Sequence, residues 1–442
     1  MKRYWLAGLT GLFLTALVVT ISAANPGVTL IGTGFIRGDA LDRSGLAGKS
    51  ICQKDDETVC IDQATLGGLG SGVTYTGFDN VFIATPDRGP FDGRTNVPYK
   101  DRVHLLHITV DTKATSFPNI KTVLLDTRFL RDEWRRNFVN DAYAFDTTHP
   151  FNTLRFDPEA VAVSPFGNFF VSDEYGPYVR EFERNGHLIR RIPLPGKFRL
   201  DPETGHPSGD VDSDANSLEL QPSFNVTGRQ ANRGMEGLAI TPNGRTLVGI
   251  MQNALIQDAS DGAPNLLRIV TIDIASGRTT HEYPYLLTTG SGVSDIVALN
   301  NHELLVDERD GKGLADAPGE KAKIKQILKI DLQSATDISN MTGSEAQTHA
   351  VAKTLFLDIV KTLNNAGITS DLIPAKIEGT AFGPDVVVEG VKIHTFWVAN
   401  DNDFLQDFNK VSNSNPNQFW VFGFKDSDLD GSVYVPQQTP SF

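Results

Sequence analysis

Short apolar runs that are interrupted by turns and end in acids recur along this chain. In residues 157–176, two runs rich in Val and Phe flank a turn that contains Pro and Gly, a pattern that predicts a β-hairpin. The first residue of one hairpin strand lies beside the last residue of the other. Glu159 should therefore meet Asp173 and Glu174 at one end of the hairpin.

Four further segments repeat this pattern. The five copies occupy residues 67–90, 157–176, 235–252, 294–310 and 377–403. Their leading acids are Glu159, Glu236, Asp295 and Glu378, and in the first copy Gly70 or Ser71 stands in place of the acid. Because the spacing is irregular, the copies are unlike the short, regular repeats of solenoids.

Each hairpin is followed by further strand-like runs, such as residues 103–110 and 267–273. Four strands per repeat, arranged radially, describe the blades of a β-propeller, so we predict an all-β fold of this kind. Five repeats are readable. Residues 28–36 and 418–424 either complete one blade together or form a sixth. A helical pattern is weak throughout, and we expect only one short helix, near residues 127–137.

All blades of a propeller point the same way, so equivalent ends of the repeats converge on one mouth of the channel. This predicts a mouth formed by the four leading acids, with adjoining acids at Asp87, Asp173, Glu174, Asp307, Glu308, Asp401 and Asp403. So many carboxylates in one opening repel one another, and they stay ionised only if positive charge compensates them. Oxygen-only ligands favour a hard cation, and calcium suits a flexible site better than magnesium. Alternatively, the acids accept backbone hydrogen bonds and cap the blades.

Basic residues flank these acids. The ones closest to the leading or closing acids include Arg88, Arg233, Arg309 and Lys376. A cation ring fringed by Arg and Lys suits an anionic ester, because Arg makes bidentate contacts with phosphate or carboxylate. Alternatively, each basic residue pairs with its neighbouring acid.

The N-terminal residues have the order of a secretory signal peptide. Lys2 and Arg3 precede an apolar run, and small residues up to Ala24 follow it. We therefore expect residues 1–24 to be removed, leaving residues 25–442 as a single propeller domain that is secreted or periplasmic. An uncleaved membrane anchor is the alternative. After export, Cys52 and Cys60 should form a disulfide, since they are the only cysteines.

The net charge of −14 argues against nucleic acid as a partner, because its binding needs a basic surface. No membrane contact is expected after signal cleavage, and we expect a monomer. The partner that remains is a small anionic ester.

The repeats resemble those of the phytase-like family, described as having "esterase-like activity of phytase". The resemblance rests on motifs at residues 157–165, 171–177, 232–239, 306–310, 376–384 and 399–404, with first-blade motifs at residues 67–71 and 87–90. It implies a propeller, for which we favour six blades, and hydrolysis of phosphate or other esters with calcium. Carried onto this chain, it implies calcium ligands at Glu159, Asp173, Glu174, Glu236, Asp295, Glu308, Glu378 and Asp401.

The sequence thus favours a calcium-dependent phosphoesterase in which Arg88, Arg233, Arg309 and Lys376 stabilise developing negative charge. Two other functions stay open. The same metal could polarise the carbonyl of a lactone or carboxylic ester, and a propeller could bind a ligand or protein without catalysis.

Overall fold

Five antiparallel sheets are arranged around a central channel in the computed structural model of this protein. The structure describes residues 27–141, 153–176, 178–199, 226–288, 290–407 and 414–438. The predicted signal peptide lies outside these residues. In the part of the chain from residue 27 to residue 438 that is described, none of the helices has the length and apolar character needed to cross a bilayer.

Blades I to IV each contain four strands that follow one another in the chain. Blade I contains β4 (Gly72–Tyr75), β5 (Val81–Thr85), β6 (Arg102–Val110) and β7 (Ile120–Phe129). Blade II contains β8 (Pro158–Val163), β9 (Phe169–Asp173), β10 (Tyr178–Phe182) and β11 (Leu188–Pro193). Blade III contains β12 (Met235–Ile240), β13 (Thr246–Met251), β14 (Leu266–Asp273) and β15 (Arg278–Leu286). Blade IV contains β16 (Gly292–Ala298), β17 (Glu303–Arg309), β18 (Lys325–Asp331) and β19 (Thr354–Asp358).

Blade V joins the two ends of the described chain. Its strands are β20 (Ile377–Phe382), β22 (Val391–Asn400), β23 (Asn417–Phe424) and, on the outside, β1 (Thr29–Ile36), with β21 (Val386–Val388) paired to β22. The N-terminal and C-terminal runs therefore complete one blade together, which was one of the two arrangements left open by the sequence.

The propeller closes with five blades. The innermost strands β4, β8, β12, β16 and β20 contact one another in that order, and β20 contacts β4. The fold class predicted from the sequence is confirmed. The sixth blade that we favoured is not found among the described residues, because β1 pairs with β23 instead of starting a sheet of its own.

The hydrophobic core consists of layers between neighbouring blades. Between blades II and III, for example, Phe170 packs in one cluster with Leu238 and Ile240. Similar clusters lie between each of the other pairs of neighbours, including blades V and I. Fully burying one such aliphatic side chain stabilises a protein by roughly 1.5–3 kcal/mol. Every blade thus depends on both of its neighbours, and this rigid ring fixes the positions of the inner strands.

The remaining elements are short. The helices are α1 (Ile256–Ser260), α2 (Gly343–Ala346) and α3 (Ile359–Asn365). The helix expected near residues 127–137 is wrong, because β7 extends to Phe129 and Arg131 then forms a β-bridge with Asn137. The residues of β7 favour a strand, and their pairing with β6 stabilises this conformation over a helix.

A separate hairpin of β2 (Ser50–Gln53) and β3 (Asp56–Asp62) carries the two cysteines. Cys52 and Cys60 face each other across the two strands and form a disulfide. The predicted pairing is confirmed.

The C-terminal segment, residues 432–438, crosses one end of the channel. Val435 N donates to Leu299 O at 2.9 Å, and Gln438 N donates to Pro242 O at 3.0 Å. Tyr434, Pro436 and Gln437 of this segment line a cavity of about 240 Å³, together with residues of the inner strands and of the turns that follow them. The leading acids other than Asp295 lie at the opposite end of those strands, so this cavity is distinct from the acidic site.

Candidate functional site

A one-residue bulge is present near the start of three inner strands, at the leading acids Glu159, Glu236 and Glu378. In β12, Met235 pairs with Met251 and Gly237 pairs with Ile250, so Glu236 is left out of the ladder. The same shift surrounds Glu159 in β8 and Glu378 in β20. Bulges re-aim side chains and are frequent beside active sites.

Blade IV differs from the alignment made from the sequence. Because Val293 pairs with Glu308 and Asp295 pairs with Asp307, the bulge residue is Ser294. Asp295 lies one position further along and belongs to the channel wall. Its Oδ2 accepts hydrogen bonds from Thr380 N at 2.8 Å and Thr380 Oγ1 at 2.7 Å. Asp295 therefore lies one residue beyond the bulge position that the leading acids of blades II, III and V occupy.

Glycines after the bulges allow the inner strands to approach closely. A Cβ atom on Gly237 would lie 2.7 Å from Ile296 N, and one on Gly379 would lie 2.9 Å from Gly70 O. Both distances are shorter than contacts that a side chain tolerates. The sequence Glu-Gly in blades III and V thus places an acid at the mouth and the next residue against the neighbouring blade.

A second set of equivalent positions lies at or just after the end of the strand that pairs with each inner strand. The residues at this position are Asp87, Glu174, Gln252, Arg309 and Asp401 in blades I to V. We refer to the resulting group as the acidic mouth. Its carboxylates are those of Asp87, Asp157, Glu159, Glu174, Glu236, Glu378, Asp401 and Asp403, all of which are buried except that of the half-buried Asp403.

Three cations neutralise part of the acidic mouth. Arg309 forms an ion pair with Glu378. Lys376 forms an ion pair with Asp401. Each pairing uses a side chain that the sequence analysis assigned to substrate binding.

Arg88 is the third cation, and it lies close to two carboxylates of blade II. Its Nη1 lies 3.2 Å from Asp157 Oδ2 and 3.5 Å from Glu174 Oε2. Its backbone N–H also donates to Asp157 Oδ1 at 2.9 Å. Arg88 therefore holds blade I against blade II.

Within the acidic mouth, the carboxylate oxygens without a partner belong to blades II and III. Among the described residues, no hydrogen bond or ion pair reaches the carboxylate of Glu159. Glu174 Oε1 and Glu236 Oε2 are buried and also have no hydrogen-bond partner, although Glu236 Oε1 accepts from Gln252 Nε2 at 2.8 Å. Buried polar atoms of this kind need an explanation, and an ion is one.

The spacing of these acids suits a cation. One carboxylate oxygen from each of Asp157, Glu159 and Glu174 lies within 4.8 Å of the other two. Burial and the charges of Glu236 and Asp157 raise the pKa of Glu159 well above its usual range. Burial, followed by the charge of Glu174, does the same to the pKa of Glu236. The group therefore either takes up protons or binds a cation.

Two of the other predicted metal ligands are bonded within the protein. Asp173 forms a buried ion pair with Arg180. Glu308 Oε2 accepts hydrogen bonds from Lys353 Nζ and Tyr285 Oη, both at 2.8 Å. Asp173 directly precedes Glu174, and Glu308 directly precedes Arg309. Because side chains alternate between the two faces of a strand, those of Asp173 and Glu308 point away from the acidic mouth.

Arg233 is the predicted cation that has no acid beside it. Its Nη1 donates to Asn253 Oδ1 at 2.8 Å, and within the described chain no carboxylate lies at ion-pair distance from it. It precedes Glu236 by three residues and is half-buried. Its guanidinium is therefore available to an anion at the edge of the acidic mouth.

The sequence matches a known protein family over most of its length. The family description "Phytase-like: Esterase-like activity of phytase" matches residues 64–404. The chain belongs to this phytase-like family. The matched region includes blades I to IV and the mouth residues of blade V. The phytase-like match thus contains every carboxylate of the acidic mouth.

A relative and two solved structures are also similar. An "Uncharacterized secreted protein" of Arthroderma benhamiae is 30% identical over 300 residues, which cover 59% of this chain and 56% of that protein. The match therefore spans about half the length of that relative. An aldose sugar dehydrogenase of Streptomyces coelicolor is 12% identical, with a TM-score of 0.35 and coverage of 90% and 97% of the two chains. A gluconolactonase of Xanthomonas campestris is 9% identical, with a TM-score of 0.34 and coverage of 90% and 98%. At these TM-scores neither structure supports an inference about this chain.

Two members of the site escaped the sequence analysis. Asp157 was not counted as a ligand, although it stands two residues before Glu159 in the sequence Asp-Pro-Glu. Ser294 was missed because the neighbouring Asp295 fitted the repeat equally well. Only strand pairing distinguishes these two positions.

Proposed function

We propose that this protein is an exported hydrolase of small anionic esters that uses one divalent cation, with calcium and phosphate esters favoured. The observation that supports this most directly is a pair of buried carboxylate oxygens, Glu174 Oε1 and Glu236 Oε2, that have no hydrogen-bond partner among the described residues. An oxygen-only set of ligands in an open propeller mouth suits calcium.

The residues of blades II and III would hold the ion. Asp157, Glu159 and Glu174 supply oxygens spaced for a common cation, and Glu236 adds a fourth carboxylate. A bound divalent cation supplies Lewis acidity, which polarises an ester and lowers the pKa of an attacking water.

The cationic side chains would position the anionic part of the substrate. Arg233 is the best placed, because Asn253 is the one acceptor that its guanidinium has among the described residues. Arg88 and Arg309 are already paired with carboxylates, so they would fix the shape of the mouth and contribute positive charge. A phosphate group at Arg233 would receive two parallel hydrogen bonds, as guanidinium geometry allows.

Hydrolysis of carboxylic esters or lactones is the second candidate. It is favoured by the description of the phytase-like family as having esterase-like activity, and the same cation could polarise a carbonyl. A propeller that binds a ligand without turning it over is the third possibility.

Activity assays of the purified protein separate these functions. We expect hydrolysis of phytate or p-nitrophenyl phosphate in calcium, loss of that activity in chelator, and loss in Glu159→Gln and Glu236→Gln. Asp430→Asn, an exposed acid in a surface loop, should behave like the wild type. Turnover of acyl esters or lactones alone would favour the second candidate, and inactivity on every substrate would favour the third.

We also propose that the protein is exported. The N-terminal charge and apolar pattern, the Cys52–Cys60 disulfide and the name of the Arthroderma relative support this. Intact-mass analysis of protein from the culture medium or periplasm should show cleavage near Ala24 and no alkylation without reductant. A mature chain that retains Met1 would contradict the cleavage.

A further inference from the structure

Three equivalent backbone positions in blades II and V carry side chains of different charge. In blade II, Glu174 N donates to Asp157 O at 2.9 Å, and in blade V, Asp401 N donates to Lys376 O at 3.1 Å. With the bulge residues, the equivalent sets are Asp157, Glu159 and Glu174 in blade II and Lys376, Glu378 and Asp401 in blade V. Blade V thus has an ammonium group at the position where blade II has a third carboxylate.

The Lys376 ammonium lies among four carboxylates. Its Nζ contacts Asp401, lies 2.6 Å from Asp403 Oδ1, and is 3.7 Å from Glu378 Oε1 and 3.9 Å from Asp87 Oδ2. One oxygen of each of the three aspartates lies within 4.8 Å of the other two, a spacing that also fits a metal ion. The four acids therefore surround a cation, and this cation is the ammonium group of Lys376.

The Lys376 ammonium occupies the place where an ion could contact these acids, because its Nζ lies within 3.9 Å of all four carboxylates. A divalent ion that entered this cluster would have to displace Nζ and leave a positive charge beside itself. Like charges at such distances repel strongly in a partly buried site.

We propose that Lys376 is a tethered replacement for a metal ion at blade V, so that the mouth binds one divalent cation at blade II and none at blade V. The blade II ion rests on the function proposed above, whereas the role of Lys376 does not. The lysine thus sets the metal stoichiometry of the site.

The test is to count bound calcium ions in variants at this position. Native mass spectrometry and calcium titration would be applied to the wild type, Lys376→Gln, Lys376→Asp and the control Lys312→Gln. Lys376→Asp reproduces the charges of blade II. Lys312 is a half-buried lysine whose ammonium also contacts two acids, Asp316 and Glu320. We expect one ion in the wild type and control and two in both Lys376 variants.

The outcomes separate the two proposals. No ion in the wild type but one in the variants would support the role of Lys376 and contradict the blade II ion. Equal counts in the wild type and both variants, or two ions in the wild type, would overturn the role of Lys376. A variant that is unfolded in chelator should fold when calcium is added, because the ion then replaces the ammonium. A variant that stays unfolded in calcium would also overturn it.

Discussion

Arg309 Nε donates a hydrogen bond of 2.6 Å to Ser294 Oγ, and these two side chains stand where blade III has Gln252 and Glu236. In both blades the residue on the second strand of the hairpin, Gln252 or Arg309, donates a hydrogen bond to the bulge residue, Glu236 or Ser294. At these two positions blade IV contributes a positive charge and no carboxylate. The negative charge of the acidic mouth is therefore unevenly distributed. Glu159 of blade II and Glu236 of blade III are the mouth carboxylates that have no ion-pair partner among the described residues.

Replacement of Glu159 by Gln should have opposite effects with and without calcium. In chelator we expect an unchanged or higher melting temperature, because one of several mutually repelling carboxylates is lost. In calcium the variant should melt below the wild type, since saturating ligand at about 100 times Kd stabilises by about 2.7 kcal/mol. Thermal melts in both buffers test this. Equal destabilisation in both would indicate that Glu159 only caps the blade.

Replacement of Arg233 by Gln should weaken binding of an anionic substrate without affecting calcium. The loss of a charged hydrogen-bond donor should lower kcat/KM by roughly tenfold to a hundredfold, mostly through KM. Arg245→Gln, an exposed position at the other end of the same hairpin, is the matched control. Steady-state kinetics and a calcium melt would measure the two effects. An unchanged KM would exclude Arg233 from the substrate site.

Asp307 should make the protein less stable as the pH rises. Both of its carboxylate oxygens are buried and lack hydrogen-bond partners among the described residues, and burial raises the pKa of Asp307 well above its usual range. Above about pH 4 the unfolded chain releases this proton and the native state retains it, so stability falls with increasing pH.

Asp307→Asn removes that titration and keeps the shape of the side chain. We expect the variant to match the wild type near about pH 4 and to be more stable by roughly 1–3 kcal/mol near about pH 8. Denaturant unfolding at the two pH values measures the difference. A variant that is less stable than the wild type at the higher pH would show that Asp307 is ionised and compensated.

Tyr434 should contribute to stability by closing the channel end opposite the acidic mouth. Its ring lies 4.5 Å from that of Phe382 and 5.0 Å from that of His394. Tyr434→Ala should cost roughly 1–3 kcal/mol, below the value for a fully buried aromatic residue. Val433→Ala, at an exposed neighbour, should change stability by no more than about 0.5 kcal/mol. Equal melting temperatures for both variants would show that the segment does not close the channel.

The sequence by itself determined the propeller architecture of this protein and the convergence of several acids at one end of the channel. Each hairpin is local, so alternating apolar runs around a turn specify it without knowledge of the remaining chain. The equivalent ends of repeated hairpins must converge, which placed Glu159, Glu236 and Glu378 together. The disulfide followed from two nearby cysteines and the predicted export.

Only the tertiary structure decided the number of blades and which acids of the mouth are ion-paired. Blade V depends on β1 pairing with β23, whose residues lie at opposite ends of the chain, and no local pattern specifies such a contact. The one-residue difference between Ser294 and Asp295 depends on a bulge, which the repeat alone does not locate. Side chains from neighbouring blades, such as Arg88 beside Asp157, determine which acids keep unpaired oxygens. The sequence does not show these pairs, because ion pairing depends on distance in space.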